Sequence, residues 1–365
     1  MKNSFGNNIT VTVFGESHGP GIGAVLDGLA PGIQIDEGSI RSKLSMRRPY
    51  GSIGTARREK DEFEFLSGVY GGRTTGTPLT VFIKNKDVSS VDYDSLKNIA
   101  RPGHSDYTAF CKYHGFSDPR GGGHFSGRLT AAIVAAGAIL ESALKAKGIM
   151  IGTHIKRLAG LEDRDFDDYE KDINKLSSLA FAVLDDEVSL RMQNAIKAAA
   201  DEGDSVGGVL ESAVTGVPAG VGEPFFDTVE GLLSHALFSI PGVKGVSFGG
   251  GFSLADAKGS EYNDPFAVKD GKIVTTTNNN GGVNGGITNG MPLLFSVAVK
   301  PTPSVYKEQQ TVNFEKLENV SLKISGRHDP AIIHRARAVA DAMTAIVIAD
   351  LLTGRFGTDY LGGDR

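Results

Sequence analysis

The sequence predicts a chain of mixed α and β structure in one large unit. Two observations carry this expectation. Short runs alternate apolar and polar residues as half-buried strands do, and two long segments are almost wholly apolar at helical spacing. No low-complexity linker divides them.

The elements follow in order. Ile9-Thr10-Val11-Thr12-Val13-Phe14 alternates as a strand. Ala24-Val25-Leu26-Asp27-Gly28 reads as a second, and residues 79–84 (Leu-Thr-Val-Phe-Ile-Lys) as a third. A helix is expected over residues 126–147. Its Leu129, Ile133, Ala136, Leu140 and Leu144 form a stripe, and further alanines carry the apolar surface nearly all round. A helix apolar on every side is buried. Gly148 is its expected stop. Residues 157–190 are acidic and irregular, and read as a solvated surface insertion. Residues 208–214 and 293–299 are strand-like. Asp227-Thr228-Val229-Glu230 starts a helix with Asp227 in the capping-box role. Residues 275–286, rich in Asn and Gly, form a loop. Its bare backbone suits either a cofactor or a plain surface turn. The last helix is expected over residues 330–353, with Asp329 as N-cap, Pro330 in the first turn and Gly354 as the stop. Each long helix follows a polar, arginine-bearing turn, which hints at an internal duplication.

Composition bounds the partners. The net charge of −5 gives no general attraction for nucleic acid, so an anionic ligand needs a local cluster of arginines. Cys111 is alone, which excludes an intramolecular disulfide and fits a reducing, cytoplasmic setting. No signal-peptide core and no membrane-spanning run is expected, and no metal site. The 48 glycines, about twice the average share, gather in loops around polar motifs, as in a protein whose backbone lines a ligand site.

The first such motif is Gly15-Glu16-Ser17-His18-Gly19, at the end of a strand. Gly15-x-Ser17-x-Gly19 imitates a nucleophile elbow, which requires a helix directly after the serine. Gly19-x-Gly21-x-x-Ala24 imitates a dinucleotide fingerprint, with the same requirement. The residues that follow read as a strand. A third reading is an active-site turn with His18 as acid or base. A fourth is a glycine hairpin whose polar side chains satisfy local backbone.

Further motifs repeat the theme. Arg101-Pro102-Gly103-His104-Ser105-Asp106 sets a histidine after a Pro-Gly turn. Asp118-Pro119-Arg120-Gly121-Gly122-Gly123 and Gly326-Arg327-His328-Asp329-Pro330 follow. Between them lie Arg47-Arg48-Pro49, Arg57-Arg58-Glu59-Lys60-Asp61, Thr74-Thr75-Gly76-Thr77-Pro78, Gly203-Asp204-Ser205-Val206-Gly207-Gly208, Val243-Lys244-Gly245-Val246 and Lys300-Pro301-Thr302-Pro303-Ser304. In number and order, from about residue 5 to about residue 352, these motifs resemble the chorismate synthase family.

The resemblance implies an α+β fold, with antiparallel sheets sandwiching apolar helices in a single chain-long domain, and a homotetramer. It implies an anti-1,4-elimination of phosphate from 5-enolpyruvylshikimate 3-phosphate that needs reduced FMN without net redox change. His18 would protonate the leaving phosphate. His104 would sit near flavin N1, and Asp329 near N5. Flavin contacts would come from His124, Phe125, Ser126, Gly242, Gly285, Lys300, Pro301, Thr302, Pro303, Ser304 and Arg327. Arg47, Arg48 and Arg128 would meet substrate or NADP. No flavin-reductase module is recognisable, so NADPH would act through an external flavin reductase.

The chain departs from the family at positions 124 and 125, where His124 and Phe125 replace an arginine and a small polar residue. After Arg128, Leu129 stands where the family has glutamate. Ile53 stands where the family has another arginine. These departures motivate a rival, a non-catalytic flavin-binding or assembly protein. Retention of His18, His104 and Asp329 argues against it. A serine esterase using Ser17 is the other alternative.

Overall fold

The computed structural model describes residues 2–49, 51, 60–86, 98–324 and 328–363. Arg327, Ile53, Arg57 and Arg58 lie outside the described residues.

Alternation in the sequence becomes alternation of burial. Along Leu79–Lys84, residues Leu79, Val81 and Ile83 point into the core; along Leu293–Val299, residues Leu293, Phe295, Val297 and Val299 do. A sheet with one apolar face must cover it. Two five-stranded antiparallel sheets do so against helices. The first comprises β1 (Ser4–Phe5), β2 (Thr10–Gly15), β3 (Gly21–Asp27), β4 (Phe63–Ser67) and β5 (Leu79–Lys84), in the order β1-β2-β3-β5-β4. The second comprises β6 (Met150–Leu158), β7 (Leu161–Glu162), β8 (Gly208–Thr215), β9 (Val243–Phe248) and β10 (Leu293–Val299), in the order β9-β10-β8-β6-β7. Counted within each sheet, the third, fifth and fourth strands lie side by side in both. Each sheet is also followed or joined by one long apolar helix, the plan a duplication would leave.

The α-helices longer than one turn are α1 (Glu37–Met46), α2 (Asp106–Tyr113), α3 (Thr130–Ala146), α4 (Tyr169–Ser178), α5 (Asp186–Asp201), α6 (Val229–Phe238) and α7 (Ile333–Phe356). α3 packs on β3 and β5, α7 packs on β6 and β8, and the two helices pack on each other. The expected sandwich is therefore present. Thirteen of the 17 residues of α3 are buried, and 20 of the 24 of α7, which only helices covered on both sides can reach. Gly137 makes the crossing close, because any side chain there would overlap Ala342. The stretch 127–146 is long and apolar enough to cross a membrane, against the sequence expectation, but it is this buried core helix.

Several cap assignments need correction. Asp329 does not cap α7. The chain enters the helix only at Ile333, with Ile332 at the cap position and no side-chain cap bond, because the Asp329 carboxylate is committed to Arg335. Gly354 stays helical, and Gly357 (φ 90°) provides the stop one turn later. At α6 the cap is Thr228, whose Oγ1 accepts from Gly231 N at 2.9 Å, and not Asp227.

The acidic stretch 157–190 is also more ordered than its composition suggests. Its acids cap helices and anchor backbone. Asp168 caps α4 and Asp185 caps α5. Buried Asp163 accepts from Leu184 N (2.6 Å) and Asp185 N (3.0 Å), and pairs with His154 on β6 at 2.7 Å. Arg337 of α7 donates to the carbonyls of Leu176 (2.9 Å) and Leu179 (3.2 Å), closing the end of α4 onto the core.

Candidate active site

Three groups of residues, far apart in sequence, gather around one cavity beside the first turns of α3 and α7. The first is the turn after β2. Gly19 N donates to Glu16 O (3.1 Å), which closes residues 16–19 on themselves. Ser17 N donates to Gly123 O (3.1 Å), so this turn docks on the triple glycine. Gly121, Gly122 and Gly123 all have positive φ (58°, 81° and 53°), a run that side-chain-bearing residues rarely adopt. Gly121 also lies against the buried His18 ring, with no room for a Cβ. The Asp118 carboxylate forks onto Arg120 Nε (2.9 Å) and Nη2 (2.8 Å), holding the entry to this loop. On its far side His124 Nδ1 meets Gly15 O at 2.9 Å, and Phe125 packs edge-on against Tyr113.

The second turn carries His104. Arg101 donates to Asp106 through N, Nε and Nη2 at 2.9, 2.9 and 2.7 Å, closing the Pro102-Gly103 turn. Lys300 Nζ donates to Gly103 O (2.6 Å), and His104 Nε2 bonds Ser304 Oγ (2.8 Å). Two motifs about 200 residues apart thus form one wall. Burial, and then the charge of Arg101, push the His104 pKa down to about 4, with Lys300 and His328 acting in the same direction. At neutral pH its ring is uncharged, and an anion bound beside it would raise its pKa.

The third group joins Arg47, Asp61, Arg128, Asp329 and Arg335. Asp61 is buried and pairs with Arg47 Nη2 (3.2 Å) and with Arg128. Burial opposes its ionisation, yet the two guanidinium groups hold its carboxyl below the usual range. Burial also lowers Arg47, to about 10. Arg335 pairs with Asp329 and donates from Nε to Arg47 O at 2.7 Å.

These walls enclose a cavity of about 1420 Å³. Of the sequence-predicted residues, His104, His124, Phe125, Ser126, Gly242, Lys300, Pro303, Ser304, Arg47 and Asp329 line it. His18 stands directly behind the lining glycine Gly121. Arg48 points to Lys60 O, and Arg128 is spent on Asp61, Asn85 and the Lys84 carbonyl; neither lines the cavity. Pro301 and Thr302 are not among its lining residues, and Gly285 sits in the exposed turn of the hairpin formed by Val283–Asn284 and Ile287–Thr288, outside this cavity. Sequence reading missed His235, Phe238 and Lys323, on elements with no motif, and gave no role to Lys244 and His328, although both stand inside quoted motifs. Among the described lining residues, Asp329 is the one carboxylate against several lysines and arginines. Arg47 Nε is buried there without a hydrogen-bond partner.

A pH dependence follows from two imidazoles. His334, buried in the first turn of α7, is also pushed down to about 4, by burial and then by Arg335. Between pH 6.5 and 4 the unfolded chain binds protons at His104 and His334 that the folded chain does not. Stability should therefore fall as pH drops through that window, by up to about 1.4 kcal/mol per pH unit for each histidine. Urea denaturation at a series of pH values checks this; His334→Phe should flatten the slope, and an unchanged slope would contradict the assignment.

The Ser17 elbow finds no support. Ser17 is buried, and the element after it is strand β3, so no helix backs an oxyanion hole. The same strand removes the dinucleotide reading. The comparisons decide the family. The family model for chorismate synthase matches residues 9–353. The chain belongs to the chorismate synthase family. Chorismate synthase of Pyrococcus abyssi is 46% identical over 350 residues, 96% of this chain and 97% of that one. That of Thermococcus kodakarensis is 44% identical over the same length, and that of Dehalococcoides mccartyi is 45% identical over 353 residues, 96% of each chain. A crystal structure of chorismate synthase superposes with a TM-score of 0.78 at 30% identity, covering 98% of this chain and 95% of the other. The chain is accordingly a phosphate-eliminating carbon–oxygen lyase that forms chorismate from 5-enolpyruvylshikimate 3-phosphate. Neither the esterase nor the non-catalytic alternative is supported.

Proposed function

We propose that the cavity binds reduced FMN and the enolpyruvyl substrate side by side. The observation that carries this is the cavity itself. Its volume exceeds the roughly 300–1,000 Å³ typical of a single small-ligand site, and its charged lining is basic apart from Asp329. The residues fit such polyanions: Arg47 offers an unused buried donor, and glycines at 121, 122, 127 and 242 leave backbone bare to a flat ring. Lys300 and Ser304 with His104 would hold the flavin on one wall; Arg47 and Arg335 would take substrate carboxylate and phosphate on another. Reduced flavin, when bound, supplies a reversible electron donor that a redox-neutral elimination from an unactivated C–H otherwise lacks. His18 would give the proton to the departing phosphate oxygen from behind Gly121, which has no side chain and so lets the imidazole lie directly against the cavity lining. Asp329, held by Arg335, would take up the proton that the substrate ring loses and pass it to solvent, so that the proton His18 gives to phosphate is matched by one removed from the ring.

Exposed Phe225, Phe226, Phe252, Val268 and Ile273 support assembly into a homotetramer. NADPH would enter through an external flavin reductase, and the single free Cys111 suits the cytoplasm. Anaerobic incubation with 5-enolpyruvylshikimate 3-phosphate and FMN tests the whole. Phosphate release is expected with reduced FMN and not with oxidised FMN; release at equal rates with both would refute it.

A further inference from the structure

Asn85 appears in none of the motifs, yet it is where the His18 turn is fixed. It follows the last residue of β5. Its side-chain amide donates from Nδ2 to Glu16 O and to Gly19 O, both at 2.9 Å, and its backbone N donates to Pro20 O at 3.2 Å. Its Oδ1 accepts from Arg128 Nε at 3.1 Å. The amide orientation follows from its partners, since two carbonyls can face only the nitrogen and a guanidinium N–H only the oxygen. Arg128 is held in turn by Asp61, and Asp61 by Arg47, which lines the cavity. Asp61 carries a positive φ of 48°, unusual for a residue with a side chain, and its carboxylate is almost fully enclosed by the two arginines. The chain of contacts therefore runs from a cavity arginine, through Asp61 and Arg128, to the amide that braces both ends of residues 16–19.

This arrangement gives Arg128 a different task from the one the sequence suggested. Its guanidinium pairs with Asp61, a carboxylate it shares with Arg47, and its side chain is buried. It orients Asn85 and leaves substrate to Arg47. We propose that Asn85 is a positioning residue for the His18 proton donor, with Asp61 and Arg128 linking that turn to Arg47. The proposal rests on the assignment of His18 as the donor. A loosened turn moves the imidazole relative to the departing oxygen, and a misplacement of about 1 Å can lower the rate about 10²-fold.

The test uses the full-length protein with saturating reduced FMN. Asn85→Ala should lower kcat about 10- to 100-fold, with KM for the enolpyruvyl substrate changed much less. In a His18→Ala background the same substitution should lower kcat by less than about twofold further, because residues that act through one another are not additive. Asn85→Asp keeps an acceptor toward Arg128 and loses both donors to the turn, so it should behave as the alanine variant does. In the cofactor-free protein, the His18 Cε1–H resonance, identified by its loss in His18→Ala, should shift or broaden in both Asn85 variants. A wild-type kcat in Asn85→Ala, fully multiplicative losses in the double variant, or an unmoved His18 resonance would each overturn the proposal. A wild type that releases no phosphate would instead overturn the functional reading, and the resonance would still report on Asn85.

Discussion

Replacing His18 with alanine should lower turnover by about 10²–10⁴-fold, the usual contribution of a general acid, while the protein keeps its fold. Two features of the structure set this expectation. The imidazole is buried behind Gly121, at the wall of the cavity, and the turn that carries it is tied to the triple glycine and to Asn85. The leaving phosphate oxygen needs a proton as its bond to carbon breaks, and no other histidine shares that turn. FMN affinity should change little, because His104, Lys300 and Ser304 stand on another wall. Ser17→Ala should leave most activity, in contrast to a hydrolase. Steady-state kinetics with a matched thermal melt decide the matter. Wild-type turnover in folded His18→Ala would remove His18 from the chemistry. His104→Ala should act differently. Its ring is neutral in the free protein, so its loss should weaken flavin binding and reduced-flavin stability as well as turnover.

Asp329→Asn is the second large effect. As a helix cap, asparagine would substitute for aspartate almost without cost, but Asp329 does not cap α7. Its carboxylate is buried and paired with Arg335, which also grips the Arg47 carbonyl. The amide cannot hold a proton in transit and leaves Arg335 unbalanced beside the cavity. Turnover should therefore fall about 10²-fold or more, with a modest loss of stability. Activity equal to wild type, measured beside a denaturation curve, would make Asp329 a structural ion-pair partner alone.

How far the sequence reached depended on the range of the interactions. Strands such as Leu79–Lys84 and Leu293–Val299 were legible because alternation is local and both have one face in the core. The buried helices were legible because apolarity on all sides has one common cause. Caps were less so. Asp329-Pro330 carries the usual starting signal, but a tertiary ion pair took the carboxylate, and the helix began three residues past Pro330. Gly354 carried a stop signal that Gly357 fulfilled. In the site, His104 and Lys300 both stand in motifs legible in the sequence, and both line the cavity. Arg128 is turned from the cavity lining for a reason the sequence hides: its partner, Asp61, lies 67 residues away. Asn85 gave no local signal at all, since its role exists only once β5 lies beside β3. Gly285 stands out in the sequence because its neighbours lack side chains, and in the structure it lies in an exposed hairpin turn outside the cavity lining.

The most direct measurement of the central claim counts flavin against product. The protein is held under nitrogen with a limiting amount of reduced FMN and an excess of 5-enolpyruvylshikimate 3-phosphate, and phosphate, chorismate and flavin absorbance are followed together. Equal amounts of phosphate and chorismate are expected, many of each per flavin, with the flavin still reduced when substrate is exhausted. One flavin oxidised per product, or phosphate released with no need for reduced flavin, would contradict it.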